Sequence, residues 1–228
     1  MCGISGIVNH DRHHPVSERV LHAMTDVMSH RGPDGRGTYE RGAVGLGHRR
    51  LSIIDLGGGA QPMSNEDGTC WVTFNGEIYN FQAIRHELVG LGHHFKSSSD
   101  TEVIVHAYEE WGEAAVRRLH GMFAFAVWDE RRRVLLVARD RVGIKPLYYA
   151  DTGSAFLFAS EVKAILTHPD VSRALDPRAI DRFLTYYYVP GDITLFAAIR
   201  KLEAGHYLVV QDGTVRTERY WDLSLIHI

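Results

Sequence analysis

Apolar residues recur along the chain at two spacings, one helical and one extended. Gly3–Val8 reads as a strand that carries the N-terminus inward. From Glu18 to Met28 the residues Val20, Leu21, Met24, Val27 and Met28 fall three or four apart. This predicts a helix, with Ser17 placed to cap it. HRGPDGRG (His30–Gly37) carries Gly and Pro signals and predicts a loop. Val44–Arg49 and Trp71–Asn75 predict strands. Phe81–Leu91 predicts an amphipathic helix through Phe81, Ile84, Leu88 and Leu91, and Thr101–Trp111 predicts another, capped by Ser99 or Asp100.

MFAFAVWD (Met122–Asp129), a turn through Glu130–Arg132 and RVLLVARD (Arg133–Asp140) together predict a β-hairpin. Both of its strands are apolar on both faces. A sheet with one wet face does not require that, so the pattern implies a sheet covered on both sides. Leu147–Tyr149 and Ala155–Ala159 predict a further strand pair, with Ser160 capping a short helix over Glu161–Leu166. The composition shifts near His168–Pro177, which suggests an edge or connector. Ala179–Tyr187 then predicts a helix and Gly205–Gln211 a strand. Strands in series with helices grouped between them place the chain in the α+β class.

Length and composition narrow the classes of function. With 228 residues, 45% of them hydrophobic, the chain can bury a full core as one large domain, or as one domain and the start of a second. A net charge of -3 offers no excess of cations for phosphates, so nucleic acid is not an expected partner. Cys2 and Cys70 make no disulfide framework and suit a reducing cytoplasm. The N-terminus lacks a charged n-region, and the longest apolar run, around Met122–Trp128, is too short to span a bilayer. The expectation is a soluble, cytoplasmic protein without a membrane partner. His10, His13 and His14 cluster, as do His93 and His94, but no HExxH or paired CxxC spacing surrounds them and no metal site is expected. Gly57–Gly59 lacks a following helix and lysine and reads as a flexible turn, and Cys70 reads as an inert small hydrophobe.

Five segments could carry chemistry. Removing Met1 would free the α-amino group of Cys2. Such amines titrate near about 8, so a useful fraction is neutral at pH 7 and can act as base for the adjoining thiol. A cysteine at position two can equally be a stray small residue at a free end. In FNGEIYN (Phe74–Asn80), Asn75–Gly76 reads either as a turn or as an oxyanion hole built from the Asn75 amide and the Gly76 N–H, with Glu77 next to it for a substrate ammonium. In GHRRLSIID (Gly47–Asp55), Arg50 is either a solvated strand end or a bidentate holder of a carboxylate. Asp100 in SSSDTEVI (Ser97–Ile104) caps a helix, faces a ligand ammonium, or does both. RDRVGIKPLYY (Arg139–Tyr149) reads as a polar loop in which roles for Arg141 and Lys145 are open.

Taken in order, MCGISGI, HRGPD, GHRRLSIID, QPMSNEDG, FNGEIYN, SDTEVI, GMFAFAVWD, RDRVGIKPLYY and FASEVKAIL resemble the glutaminase domain of glutamine-hydrolysing asparagine synthetases. That domain is a class II glutamine amidotransferase with the N-terminal nucleophile fold. The resemblance is dense from Cys2 to Leu166 and looser to Tyr220–Leu223. It implies a four-layer αββα sandwich of two antiparallel sheets. Residues 2–167 would form the core, residues 168–223 the C-terminal part and a connector to a synthetase domain, and residues 224–228 a non-native tail. It implies that Cys2 attacks the side-chain amide of glutamine, that Asn75 and Gly76 form the oxyanion hole, that Arg50 holds the α-carboxylate, and that Glu77 and Asp100 receive the α-amino group. The hydrolytic step would need no cofactor, whereas the synthetase domain would use ATP and magnesium. Partners implied are glutamine and a synthetase domain or subunit that accepts ammonia, and a homodimer is compatible with the sequence. The resemblance departs at Val142, where relatives often carry an aromatic residue; this should alter packing and not chemistry. No SGGxDS-type pyrophosphate loop occurs in the 228 residues. Two other readings are a glutaminase serving a different acceptor, in polysaccharide, peptide, purine or amino-sugar synthesis, and a truncated product that binds glutamine without turnover or aggregates through surface left uncovered.

Overall fold

Side chains alternate across a strand, so each central strand here supplies two cores. In β1 (Gly3–Asn9), Ile4 points between two sheets while Ile7 packs on α1 (Glu18–Asp26) with Leu21 and Met24. The computed structural model describes residues 1–52 and 59–224. Gly57 and Gly58 of the glycine run, Ile53–Asp55 of GHRRLSIID and Leu225–Ile228 of the tail lie outside the described residues.

Among the described residues the strands form two antiparallel six-stranded sheets. The first runs in the order β10 (Arg200–Lys201), β8 (Tyr148–Asp151), β9 (Ala155–Ala159), β1, β3 (Val44–Arg50), β2 (Gly35–Arg41). The second runs β12 (Thr214–Arg219), β11 (His206–Gln211), β7 (Val134–Arg139), β6 (Gly121–Asp129), β5 (Cys70–Ile78), β4 (Met63–Ser64). The faces of β6 show how the sheets stack. Ala124, Ala126 and Trp128 meet Leu46, Phe156 and Phe158 of the first sheet. Phe123, Phe125 and Val127 meet Ile84 and Leu88 of α2 (Phe81–Gly90) and Val103 and Ala107 of α3 (Asp100–Trp111). With α1 and α5 (Val162–Ile165) on the far side of the first sheet, the layers run α, β, β, α. The expected α+β sandwich is thus observed, and the doubly apolar hairpin is its central feature. Full burial of Phe123, Phe125, Phe156 and Phe158 is worth about 1.5–3 kcal/mol each.

Several local expectations are corrected. Asn75–Gly76 forms no turn, because β5 continues to Ile78 and pairs with β6 throughout, from Cys70 opposite Asp129 to Ile78 opposite Gly121. The loop predicted over His30–Gly37 yields at Gly35 to β2, a partly polar edge strand without an apolar alternation to reveal it. Ser17 makes no side-chain cap bond. Ser160 does not cap α5 either: its hydroxyl accepts the Ile4 N–H at 3.0 Å while its own N–H donates to the Ile4 carbonyl at 2.9 Å. Ser99 does cap α3, accepting from the Thr101 N–H. The last predicted helix begins at Pro177, capped by Asp176, and runs as α6 (Pro177–Tyr186). No helix among the described residues is long and apolar enough to cross a membrane.

Candidate active site

The register of β1 brings its N-terminal end to a cleft between the sheets. Gly3 pairs with Arg49 of β3 and Ser5 with Ala159 of β9, and the double tie between Ile4 and Ser160 lies between them. Arg31 of HRGPD fixes the entering chain. Its Nε donates to the Cys2 carbonyl at 2.9 Å and its Nη1 to Glu161 Oε1 at 3.1 Å. The Cys2 thiol lies against the backbone that follows the neighbouring strand β3: Sγ is 3.6 Å from the Leu51 carbonyl oxygen and 3.4 Å from the Leu51 nitrogen.

A cavity of about 250 Å³ opens at this thiol. Cys2, Asn75, Gly76, Glu77 and Asp100 all line it, so five of the six sequence-predicted site residues converge there from positions up to Asp100. Arg50 does not line it. It ends β3 immediately before Leu51, which does, and shares the inter-sheet face of β3 with Leu46 and His48. A larger cavity of about 490 Å³ lies at the opposite end of β1, beside Asn9, His10 and His168, away from the thiol.

β5 forms the wall facing Cys2. β4 pairs with Trp71 and Val72, and among the described residues the rest of this β5 edge has no strand partner. Two side chains cover parts of it: Gln61 Oε1 accepts the Phe74 N–H at 2.7 Å and Asp100 Oδ2 accepts the Ile78 N–H at 3.0 Å. By strand parity the Gly76 N–H points to the same edge, between these two. Gly76 is also sterically required, since a Cβ there would sit 2.2 Å from the Met122 carbonyl oxygen and 2.8 Å from Phe123 Cα. The Asn75 side chain leaves the opposite face of β5. It is 1% exposed, and its Nδ2 is a buried donor without a hydrogen-bond partner. Leaving such a group unpaired costs about 1–3 kcal/mol. An acceptor atom placed before Asn75 Nδ2 would satisfy it.

Asp100 and Glu77 put two carboxylates in the cleft. Burial pushes the Asp100 carboxyl up, and the charge of Glu77 adds to this, against hydrogen bonds from Ile78, Asp100 and Thr101 N–H groups. A carboxyl raised in the folded state contributes stability below its unfolded pKa and loses it as pH rises through the folded value. Where Asp100 is ionised, burial and Glu77 hold its charge at a cost that a ligand ammonium would offset. Asp100→Asn can still accept the Ile78 N–H. It is expected to melt at or above the parent temperature at pH 8, with the difference shrinking towards pH 5. Losing a charge-assisted hydrogen bond should raise KM for an α-amino substrate about ten- to a hundredfold. Thermal melts at the two pH values and steady-state kinetics check this; a lower melt at both, with KM unchanged, would contradict it.

The sequence reading did not single out Gln61, Leu51, Thr101, Met122 or a definite place for Lys145, all of which line the cleft. Gln61 bridges two walls, since its Nε2 also donates to Thr101 Oγ1 at 3.2 Å. Lys145 is 6% exposed and comes from RDRVGIKPLYY, which is no solvated loop at its base. Asp140 is fully buried and accepts N–H bonds from Phe123, Val142, Ile144 and Lys145 at 2.9–3.2 Å. Arg139 donates to the carbonyls of Gly143, Lys145 and Leu202. The adjacent Arg-Asp pair was the available signal for this buried frame. The Val142 residue joins this frame through its N–H alone and is 63% exposed.

Two stacked antiparallel sheets sandwiched by helices, with Cys2 just ahead of the first strand, make a sandwich of the N-terminal nucleophile hydrolase fold type. Solved structures agree on the fold. Glutamine phosphoribosylpyrophosphate amidotransferase from B. subtilis superposes with a TM-score of 0.67 at 21% identity, covering 96% of this chain and 49% of that one. A structure described as the allosteric regulatory enzyme of purine biosynthesis gives 0.69 at 22% identity, with the same coverage. The chain belongs to the glutamine amidotransferase domain family, whose model matches residues 1–221. It is 41% identical to asparagine synthetase [glutamine-hydrolyzing] 3 of Bacillus subtilis (strain 168) over 98% of this chain and 37% of that protein. It is 37% identical to amidase chry2 of Gibberella zeae over 98% of this chain and 35% of that protein. The chain spans about a third of the length of the curated relatives it matches.

Proposed function

We propose that this chain hydrolyses the side-chain amide of glutamine to glutamate and ammonia, with Cys2 as nucleophile. The observation that carries the reading is the buried, unpartnered Asn75 Nδ2 in the cleft that Cys2 enters. With Met1 removed, the Cys2 amine takes the thiol proton and the thiolate attacks the amide carbon. The oxyanion meets Asn75 Nδ2 and the Gly76 N–H. The intermediate collapses as ammonia leaves with the proton returned by the amine, giving a γ-glutamyl thioester. Water, deprotonated by the same amine, then releases glutamate and restores the thiol. Asp100 and Glu77 receive the substrate ammonium, and Arg50 at the end of β3 takes its carboxylate.

The ammonia is delivered to a synthetase domain or subunit that amidates aspartate, and that partner uses ATP and magnesium; the hydrolytic step itself uses neither. The 41% identity to a glutamine-hydrolysing asparagine synthetase supports this acceptor. So does a run of exposed apolar side chains on and after α6, with Leu184, Tyr186, Tyr187 and Tyr188 each more than half exposed, which suits contact with such a partner. The cytoplasm is the compartment that suits a working free thiol. The test is release of glutamate and ammonia from glutamine by the purified chain. Equal amounts are expected; glutamine binding without either product would contradict the reading.

A further inference from the structure

Three separated parts of the chain bring histidines and carboxylates together beside the middle of α3. Glu66 comes from the turn between β4 and β5, His93 from the segment after α2, and His106 and Glu109 from one face of α3. Among the described residues, Glu66, His93 and His106 each offer a ligand atom within 4.8 Å of the others. His106 Nδ1 lies 2.9 Å from Glu109 Oε2 and 3.7 Å from Glu66 Oε2, and His93 Nδ1 lies 4.0 Å from the same Glu109 oxygen. Zinc bonds of about 2.0–2.1 Å at tetrahedral angles hold ligand atoms about 3.3 Å apart, within the range of these separations.

We propose that Glu66, His93, His106 and Glu109 bind one zinc ion. Both imidazoles are oriented for it. Each turns Nδ1 inward and leaves Nε2 facing a further carboxylate: His106 Nε2 lies 3.7 Å from Glu102 Oε1, and His93 Nε2 lies 3.3 Å from Glu110 Oε2. A carboxylate behind the distal nitrogen is how metal-bound histidines are held in the right tautomer. His106 is fully buried, yet its Nε2 has no hydrogen bond at this distance. A cation on Nδ1 fixes the proton on Nε2 and draws that ring towards Glu102. Charge points the same way. Four carboxylates, of Glu66, Glu102, Glu109 and Glu110, surround the two rings, and the nearby Lys96 ammonium donates to the Glu66 carbonyl, not to a carboxylate. Zinc on Nδ1 takes the neutral imidazole with its proton on Nε2. It would clip the β4–β5 turn and the segment after α2 onto α3, whose first turn carries Ser99, Asp100 and Thr101 into the cleft. Its role is thus structural and distinct from hydrolysis.

The probe is zinc alone, titrated by calorimetry into the full chain carrying Cys2→Ala, so that the thiol does not compete. One equivalent should bind saturably, and cobalt in its place should give the visible bands of a low-coordinate site. His93→Ala and Glu66→Gln, both at partly exposed positions, should each weaken zinc more than about tenfold. His13→Ala, in the N-terminal histidine group, should leave affinity unchanged. Absence of saturable binding, or affinity unchanged in both His93→Ala and Glu66→Gln, would overturn the proposal.

Discussion

Cys2→Ala should remain folded and lose glutamine hydrolysis by at least about a thousandfold. The thiol sits just ahead of β1, and its hydrogen-bond partners among the described residues are the Leu51 nitrogen and carbonyl oxygen, at 3.4 and 3.6 Å. Its removal should therefore shift stability by less than about 1 kcal/mol. The chain around it is held by the backbone instead, through Arg31 on the Cys2 carbonyl and Ser160 on both polar groups of Ile4. Glutamate release and a thermal melt, read side by side, check both halves. Hydrolysis retained at the parent rate would remove Cys2 from the mechanism. A collapsed melt would mean that the thiol is a packing group.

The second large effect falls on Asn75. Asn75→Ala should lower kcat about a hundred- to a thousandfold, the cost of losing one oxyanion donor, with KM nearly unchanged. Buried polar residues usually cost stability when truncated, because a partner is left unpaired. Here Nδ2 is itself the unpaired group, so Asn75→Ala should melt close to the parent chain. A donor idle in the resting protein and engaged only as charge develops is what differential binding of a transition state requires. A large rise in KM with normal turnover, or a strongly lowered melt, would contradict this role.

These two residues also mark how far the sequence could be read. The hairpin from Met122 to Asp140 revealed the layered fold, because apolar residues on both faces of a strand need two cores to fill. Asn75–Gly76 shows the limit of local signals. The dipeptide favours a tight turn, but nine consecutive cross-strand pairs with β6 hold it extended, and Gly is needed there because the Met122 carbonyl leaves no room for a side chain. β2 and β12 escaped notice for a different reason. Both are partly exposed edge strands, and alternation is weak where neither face is fully buried. Ser160 had the right position for a cap, yet its oxygen is taken by the Ile4 N–H from 156 residues away.

The cleft was legible where its residues sit in short contiguous motifs and illegible where it depends on covering an open edge. Gln61 and Asp100 take the Phe74 and Ile78 N–H groups on the edge that β4, short among the described residues, leaves uncovered, with the Gly76 N–H between them. The His93–His106 group was invisible for the same kind of reason. Its members carry no metal-binding spacing, and α3 must dock beside the β4–β5 turn before they meet.

The nucleophilic role of Cys2 is tested most directly by intact-mass measurement of the chain, quenched in acid during turnover of glutamine. A species lacking Met1 and heavier by one γ-glutamyl group should accumulate, disappear on hydroxylamine treatment and be missing from Cys2→Ala. Steady release of glutamate with Met1 still attached, or an adduct of the same mass on Cys2→Ala, would contradict attack by the Cys2 thiol.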